Sequence, residues 1–365
     1  MPENKVVFSA RGDFRKVISR RVEEYFQEYN LKPTGNWRLY VKSAVILTWL
    51  VGSYIALVFF ADSLLTAVLA AFAVAQGFIL VGLNIMHDGN HGSYSANKLV
   101  NRIMGFSLDL AGGNSRVWRH KHNILHHTYT NIHGADEDLH TSGLMRMSPN
   151  QAQRPWHRYQ HFYAFLLYGL LTLSWVTTND FRRLFTSRIF NYQMPQTSIS
   201  NWGVLILSKG AYYGYMIAIP LFFHPVLYVV IAFLGIHLIQ GVTLSLVFQL
   251  AHVLEENSFP NPSDETRAVE KEWAVHEVET TANFATGNRL ATWYLGGLNF
   301  QIEHHLFPKV CHVHYPAISR IVRSTCEELA VQYVSYGTIT SAIVSHYRFL
   351  RLMAGADPAL ARSTR

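Results

Sequence analysis

Charge is scarce in this chain: Asp, Glu, Lys and Arg make up 15% of its 365 residues, where a soluble domain carries about 25%. Two stretches have no positive charge at all, since no Lys or Arg occurs between Lys42 and Lys98 or between Lys209 and Arg267. Cysteine is almost missing. The two present, Cys311 and Cys326, exclude a disulfide scaffold and a thiolate-rich metal cluster. Internal repeats and low-complexity segments are absent, and the charged first forty residues lack the apolar core of a cleavable signal peptide. The HExxH helix of zinc proteases is missing too.

What fills the gaps is apolar. Hydrophobic residues reach 49% and are bunched into runs at 43–60, 63–85, 203–223 and 226–250, each near the roughly 20 residues that cross a bilayer as a helix. The reading is an all-α, multi-pass membrane protein. Ala61-Asp62 and His224-Pro225 join the runs in pairs, so each pair is a hairpin that returns to its side of entry. Positive charge lies outside the hairpins, which puts both termini and the middle loop in the cytoplasm and accounts for the net charge of +7 without nucleic acid. Lys209 is expected to snorkel to that interface, and both cysteines are expected to stay reduced there. A fifth uncharged run, 161–178, has arginines at both ends and is read as an in-plane or re-entrant helix. Leu99, Ile103, Phe106 and Leu110 recur at helical spacing and suggest an interfacial helix.

Histidine is the conspicuous residue. His87 and His91 stand in HDGNH, His122, His126 and His127 in HNILHH, and His304 and His305 in QIEHH. Imidazole is a neutral ligand for iron, copper, nickel or zinc, and a spacing of four puts two rings on one helix face. A structural zinc needs four ligands, so seven histidines exceed one mononuclear site and suggest two metal ions in an all-nitrogen cage. With four spans, every cluster falls just beyond the membrane on the cytoplasmic side, and the fourth run delivers His252 to the same place. Asp88, Asp136, Asp138 and Glu303 are placed to accept the free ring N–H of a liganding histidine, or to be solvated carboxylates. His120 and His133 are expected at the surface or in hydrogen bonds, and His140, His157, His161, His312, His314 and His346 are not expected to be ligands. Cys311 to His314 reads as ordinary surface.

HDGNHGSYS, KHNILHHTYTN, GADEDL and NFQIEHHLFPKV resemble the three histidine boxes and flanking segments of the membrane fatty acid desaturases, over about residues 40–320. The resemblance implies a membrane domain spanning 1–320 with a helical cap over a di-metal site, followed by a cytoplasmic C-terminal extension at 321–365. It implies two non-haem irons held by His87, His91, His122, His126, His127, His304 and His305, with His252 as the additional histidine that such enzymes use. Gln301, at the head of the third box where many relatives have His, resembles the front-end subgroup, and is either a ligand or a neighbour of one. His276, in HEVETTANFA, is an outside candidate. The implied reaction uses dioxygen and two electrons to place a cis double bond in an acyl chain, delta-6-like in position; an acyl hydroxylase or acetylenase would use the same centre. A zinc-dependent membrane hydrolase or receptor is a remote alternative.

The substrate carrier is expected to be coenzyme A, an acyl carrier protein or a lipid. No haem, flavin or iron-sulfur motif occurs, nor the His-Pro-Gly-Gly signature of a fused cytochrome b5, so electrons are expected from ferredoxin or a cytochrome b5-type donor. Arg116, Arg119, Lys121, Arg289, Lys309, Arg320 and Arg323 form a basic face that could receive it. His237 lies fifteen residues before His252, about 22 Å along a helix, too far to share its metal. It is expected to bond within the bilayer, with Gln240 one turn away, or else to line an acyl tunnel.

Overall fold

A computed structural model describes residues 6–10, 12–263 and 265–355. Four helices are long and apolar enough to cross a membrane: Trp37–Phe59, Leu64–His91, Ile199–Phe222 and Val226–His252. Chains of this kind are integral membrane proteins, and the outward faces fit, with Leu64, Phe222 and Val226 largely exposed as lipid-facing residues would be. The hydropathy runs underestimated these helices at the ends that matter. The second has 28 residues, about 42 Å of helix against a hydrocarbon core of about 30 Å, so its last turns project out of the apolar layer. Those turns carry His87 and His91. The fourth ends on His252 itself.

Local chemistry sets the helix limits. Ser63 and Thr66 form a capping box that starts the second helix, Asn36 caps the first, and Pro225 precedes the fourth. The two helix pairs are tied by hydrogen bonds: Tyr54 donates to the Tyr215 carbonyl at 2.6 Å, and His224 Nε2 lies 2.8 Å from the Val58 carbonyl near the turns.

The run at 161–178 is broken into Gln160–Gly169, Leu171–Ser174, a π-turn at Trp175–Asn179 and the helix Asp180–Thr186. It follows the fourth span closely enough for backbone contact. A Cβ on Gly241 would sit 2.4 Å from the Gly169 carbonyl oxygen. Farther along it, Thr172 Oγ1 lies 2.9 Å from His237 Nδ1, while Tyr212 bonds the other ring nitrogen at 2.8 Å. His237 is thus satisfied by neighbouring helices, not by Gln240 on its own. The chain then turns back, and Asp180 meets Lys209 at 2.9 Å. Lys209 therefore does not snorkel: it is 2% exposed and also donates to the Trp175 carbonyl. An ion pair with a returning segment replaces water, a partner hydropathy cannot register.

Polar elements cover the projecting ends. Helix Phe14–Glu28 packs on Trp273–Glu279 and Tyr315–Glu328, burying Phe14, Ile18, Ala274, Val278, Val322 and Cys326 together. Residues 321–355 pack on this body. Strand Val334–Tyr336 pairs in parallel with Ala282–Phe284, and helix Ile339–Met353 packs on Gln160–Gly169 and the fourth span.

Close packing at Gly241 gives a direct check. Gly241→Ala pushes a methyl into backbone atoms and should destabilise the protein by about 1–3 kcal/mol. Gly235→Ala on the same helix meets nothing within 4 Å and should be neutral or slightly stabilising. Thermal unfolding of detergent-solubilised protein separates the two; equal melting temperatures would remove this contact from the fold.

Candidate metal centre

Non-α turns build the site. A π-turn at Gly82–Met86 precedes the α-helical His87–His91, and a second, at His120–His126, carries the middle cluster. In a turn bonded from i to i+5, residues five apart share a face. His122 and His127 do so, with Nε2 atoms 3.2 Å apart. Gly296, at φ +61, lets its turn approach the first π-turn, where a Cβ would lie 2.2 Å from the Leu83 carbonyl oxygen. The third cluster sits on the helix Gln301–Leu306, whose start is fixed by Ile302 N–H donating to Asn283 Oδ1 at 2.9 Å.

These elements converge on two adjacent groups. His87, His91, His122 and His304 place one ring nitrogen each within 4.8 Å of one another, and so do His126, His252 and His305. His127 lies between the groups, its ring centroid 4.5 Å from that of His304 and 4.4 Å from that of His305. All eight histidines are buried. Burial holds His122, His127, His304 and His305 well below their usual values, so these rings are neutral, the form that ligates a metal.

In four of the eight rings the Nδ1 on the far side is occupied. His305 Nδ1 lies 2.7 Å from Glu277 Oε2, His304 Nδ1 lies 3.1 Å from the Tyr315 hydroxyl, and His252 Nδ1 lies 3.4 Å from the Thr280 carbonyl. His126 Nδ1 faces Asp136 at 3.3 Å and Asp138 at 3.4 Å. Burial opposes charge on His126, but these two carboxylates outweigh it and raise its pKa. In contrast, Nε2 of His87, His91, His126, His252, His304 and His305 is buried with no hydrogen-bond partner among the described residues. With Nδ1–H donating outward, each of the partnered rings turns an Nε2 lone pair inward. Such an array of buried acceptors fits two cations and little else.

The comparisons agree with this chemistry. A model of the fatty acid desaturase family matches residues 62–337. The chain is 36% identical to the sn-1 linoleoyl-lipid 6-desaturase of Synechocystis over 97% of its length and 99% of that protein, and 37% identical to the enzyme of the same name from Arthrospira platensis over 96% and 95%. It is 37% identical to the acyl-lipid (8-3)-desaturase of Physcomitrium patens over 93% of this chain and 71% of that one. The chain belongs to the fatty acid desaturase family.

As a desaturase it is an oxidoreductase; several residues beside its boxes stand elsewhere than the sequence suggests. Glu303 turns away from the rings toward Asn283 and Tyr333, at 2.8 and 3.0 Å, and burial pushes its carboxyl up to about 7. His276 is buried against Phe8 and joins neither group. Its neighbour Glu277 does the work instead, held by Thr130 at 2.9 Å. Gln301 lies one turn before His304 and His305, its amide nitrogen buried without a hydrogen-bond partner among the described residues. Asp88 lies 3.7 Å from His87 Nδ1, too long for a hydrogen bond, and bonds His312 Nδ1 at 2.7 Å and Cys311 Sγ at 3.0 Å. Cys311 to His314 is therefore not ordinary surface: Cys311, His312 and His314 are buried behind the first box. Lys121 likewise leaves the basic face, turning inward onto Asp138 and Glu137. Cys311 and Cys326 are both free thiols.

Purified protein should contain about two metal ions per chain by elemental analysis. His126→Ala or His305→Ala should lose them while the protein remains membrane-inserted, and Glu277→Gln should weaken metal retention about 10- to 100-fold. His276→Ala should leave metal content unchanged; a loss there equal to that of His305→Ala would move the site.

Proposed function

We propose that this protein is an oxygen-dependent di-iron desaturase that inserts a cis double bond between the carboxyl end and an existing double bond of a lipid-linked acyl chain. The two adjacent histidine groups carry the reading. An unactivated methylene offers neither an acidic proton nor an electrophile, so a redox metal must start the reaction, and zinc, which has no redox chemistry, cannot. Imidazole donors without thiolate suit iron.

His87, His91, His122 and His304 would hold one iron and His126, His252 and His305 the other, with His127 between them. Bound iron would supply the activation of dioxygen and the removal of two hydrogens from neighbouring methylenes. Overall, one dioxygen, two electrons and two protons yield the alkene and two waters. The protein's own share is positional: Glu277, Asp136, Tyr315 and the Thr280 carbonyl each receive a ring Nδ1–H, with Asp138 beside the His126 ring, and so fix the tautomer that leaves Nε2 free. Burial of all eight rings keeps bulk water from them.

Gln301 and the relatives named as 6-desaturases of linoleoyl-lipid support a delta-6-like position and a lipid-linked substrate. The distribution of Lys and Arg supports cytoplasmic termini and active site, and the return of 160–186 to Lys209 supports a re-entrant path for that segment. Electrons would come from a ferredoxin or a cytochrome b5 with its reductase.

Reconstituted protein given linoleoyl-lipid and oxygen with such a carrier should form a product with a new double bond at carbon six, and should stall without one. A new bond on the methyl side would overturn the front-end assignment, a hydroxylated product would favour the hydroxylase, and sustained turnover without a carrier would overturn the electron route. Cysteines placed at Gln153 and Asn179 should label from the same, cytoplasmic, face; labelling from opposite faces would turn the re-entrant segment into a fifth span.

A further inference from the structure

We propose that a cavity beside the first histidine box binds the anionic phosphate headgroup of a membrane glycerolipid, and so sets the acyl chain's carboxyl end next to the metal groups. The cavity, of about 220 Å³, lies where the helix Lys98–Leu110 meets the start of the third span. Arg102, Arg116 and Arg119 line it, with Asn90 in its wall and Phe106 and Val204 at its apolar side.

Each feature matches a phosphodiester at the edge of a bilayer. No ion pair engages any of the three guanidinium groups among the described residues, although each could fork onto a phosphate. Arg116 is pre-aimed: its Nη2 donates to the Pro195 and Gln196 carbonyls at 3.0 and 3.4 Å, while its Nε is buried without a partner. The one carboxylate present, Asp109, accepts the Ser115 N–H at 3.2 Å and offsets at most one of the three charges. Leu99, Ile103 and Leu110, exposed on the same helix as Arg102, place the cavity at the junction of headgroups and tails. At about 220 Å³ the cavity has room for a phosphate group with its ester oxygens.

Asn90 links this cavity to the chemistry. It adjoins His91 in the first box, and its carbonyl accepts Asn123 Nδ2 from the second at 3.0 Å. A headgroup held there leaves only a short arm of acyl chain before the metals, as a double bond near the carboxyl end requires. This inference rests on the lipid-linked reading above, so its test reads binding and not turnover.

Full-length protein in a neutral detergent is titrated with short-chain phosphatidylglycerol, an uncharged short-chain galactosyl diacylglycerol, and inorganic phosphate. Phosphatidylglycerol should bind about thirtyfold tighter than the galactolipid, the contribution of roughly two arginines near a headgroup. Arg102→Gln with Arg119→Gln should abolish that preference. Val204→Trp, which fills the cavity from the opposite side without changing charge, should do the same. No preference in the wild type, or full preference in either variant, overturns the proposal. Inorganic phosphate displacing the lipid at equal concentration overturns the lipid as its source. Loss of preference in both variants alongside failure to desaturate any lipid would retain this site and reject the substrate reading.

Discussion

Eight imidazole rings buried side by side are an unstable arrangement unless their inward lone pairs face positive charge. Everything around them answers that demand. Neutral rings bring no counter-charge of their own, and the carboxylates Asp136, Asp138 and Glu277 stand one layer back, against outward Nδ1 atoms and not among the inward Nε2 atoms. Placing them there keeps the reacting space lined by nitrogen donors and free of competing acids. It also explains why the cap is dense: Thr130 alone touches His126, Glu277 and His305, joining two boxes through one hydroxyl.

The membrane part serves the same demand by delivering ligands from below. Long second and fourth spans act as rigid posts, and the depth of apolar helix beneath them fixes how far His87, His91 and His252 rise. The polar residues inside the bundle hold the posts in register. His237 joins the third and fourth spans to the 160–174 segment, and Lys209 joins the third span to Asp180. Neither touches the metal groups, yet each fixes an element that does.

Much of this was legible in the sequence because its signals are local. Apolar runs report long helices, and histidine spacing reports which rings share a face, within windows of about twenty-five residues or fewer. What stayed hidden depends on distant partners. Glu277 is 28 residues from His305, and HEVET drew attention to the wrong member of its His-Glu pair. Lys209 read as a snorkelling residue because Asp180 belongs to a segment whose return path hydropathy cannot trace. The buried role of Cys311 and His312 follows from Asp88, more than two hundred residues earlier. The π-turns were hidden for another reason: His122 and His127, five apart, would diverge on an α-helix, and no residue type announces an i-to-i+5 turn.

Most of the long-range hydrogen bonds of the segment at 160–186 reach residues that follow it. Thr172 and Asp180 wait for His237 and Lys209; Tyr168 bonds His346, Gln160 bonds the Leu350 carbonyl, and the preceding Arg146 bonds that of Met353. During synthesis these groups leave the ribosome long before their partners exist. A nascent chain cut short before its last helix would leave Tyr168, Gln160 and Arg146 without these partners, so the final helix closes contacts opened about 180 or more residues earlier.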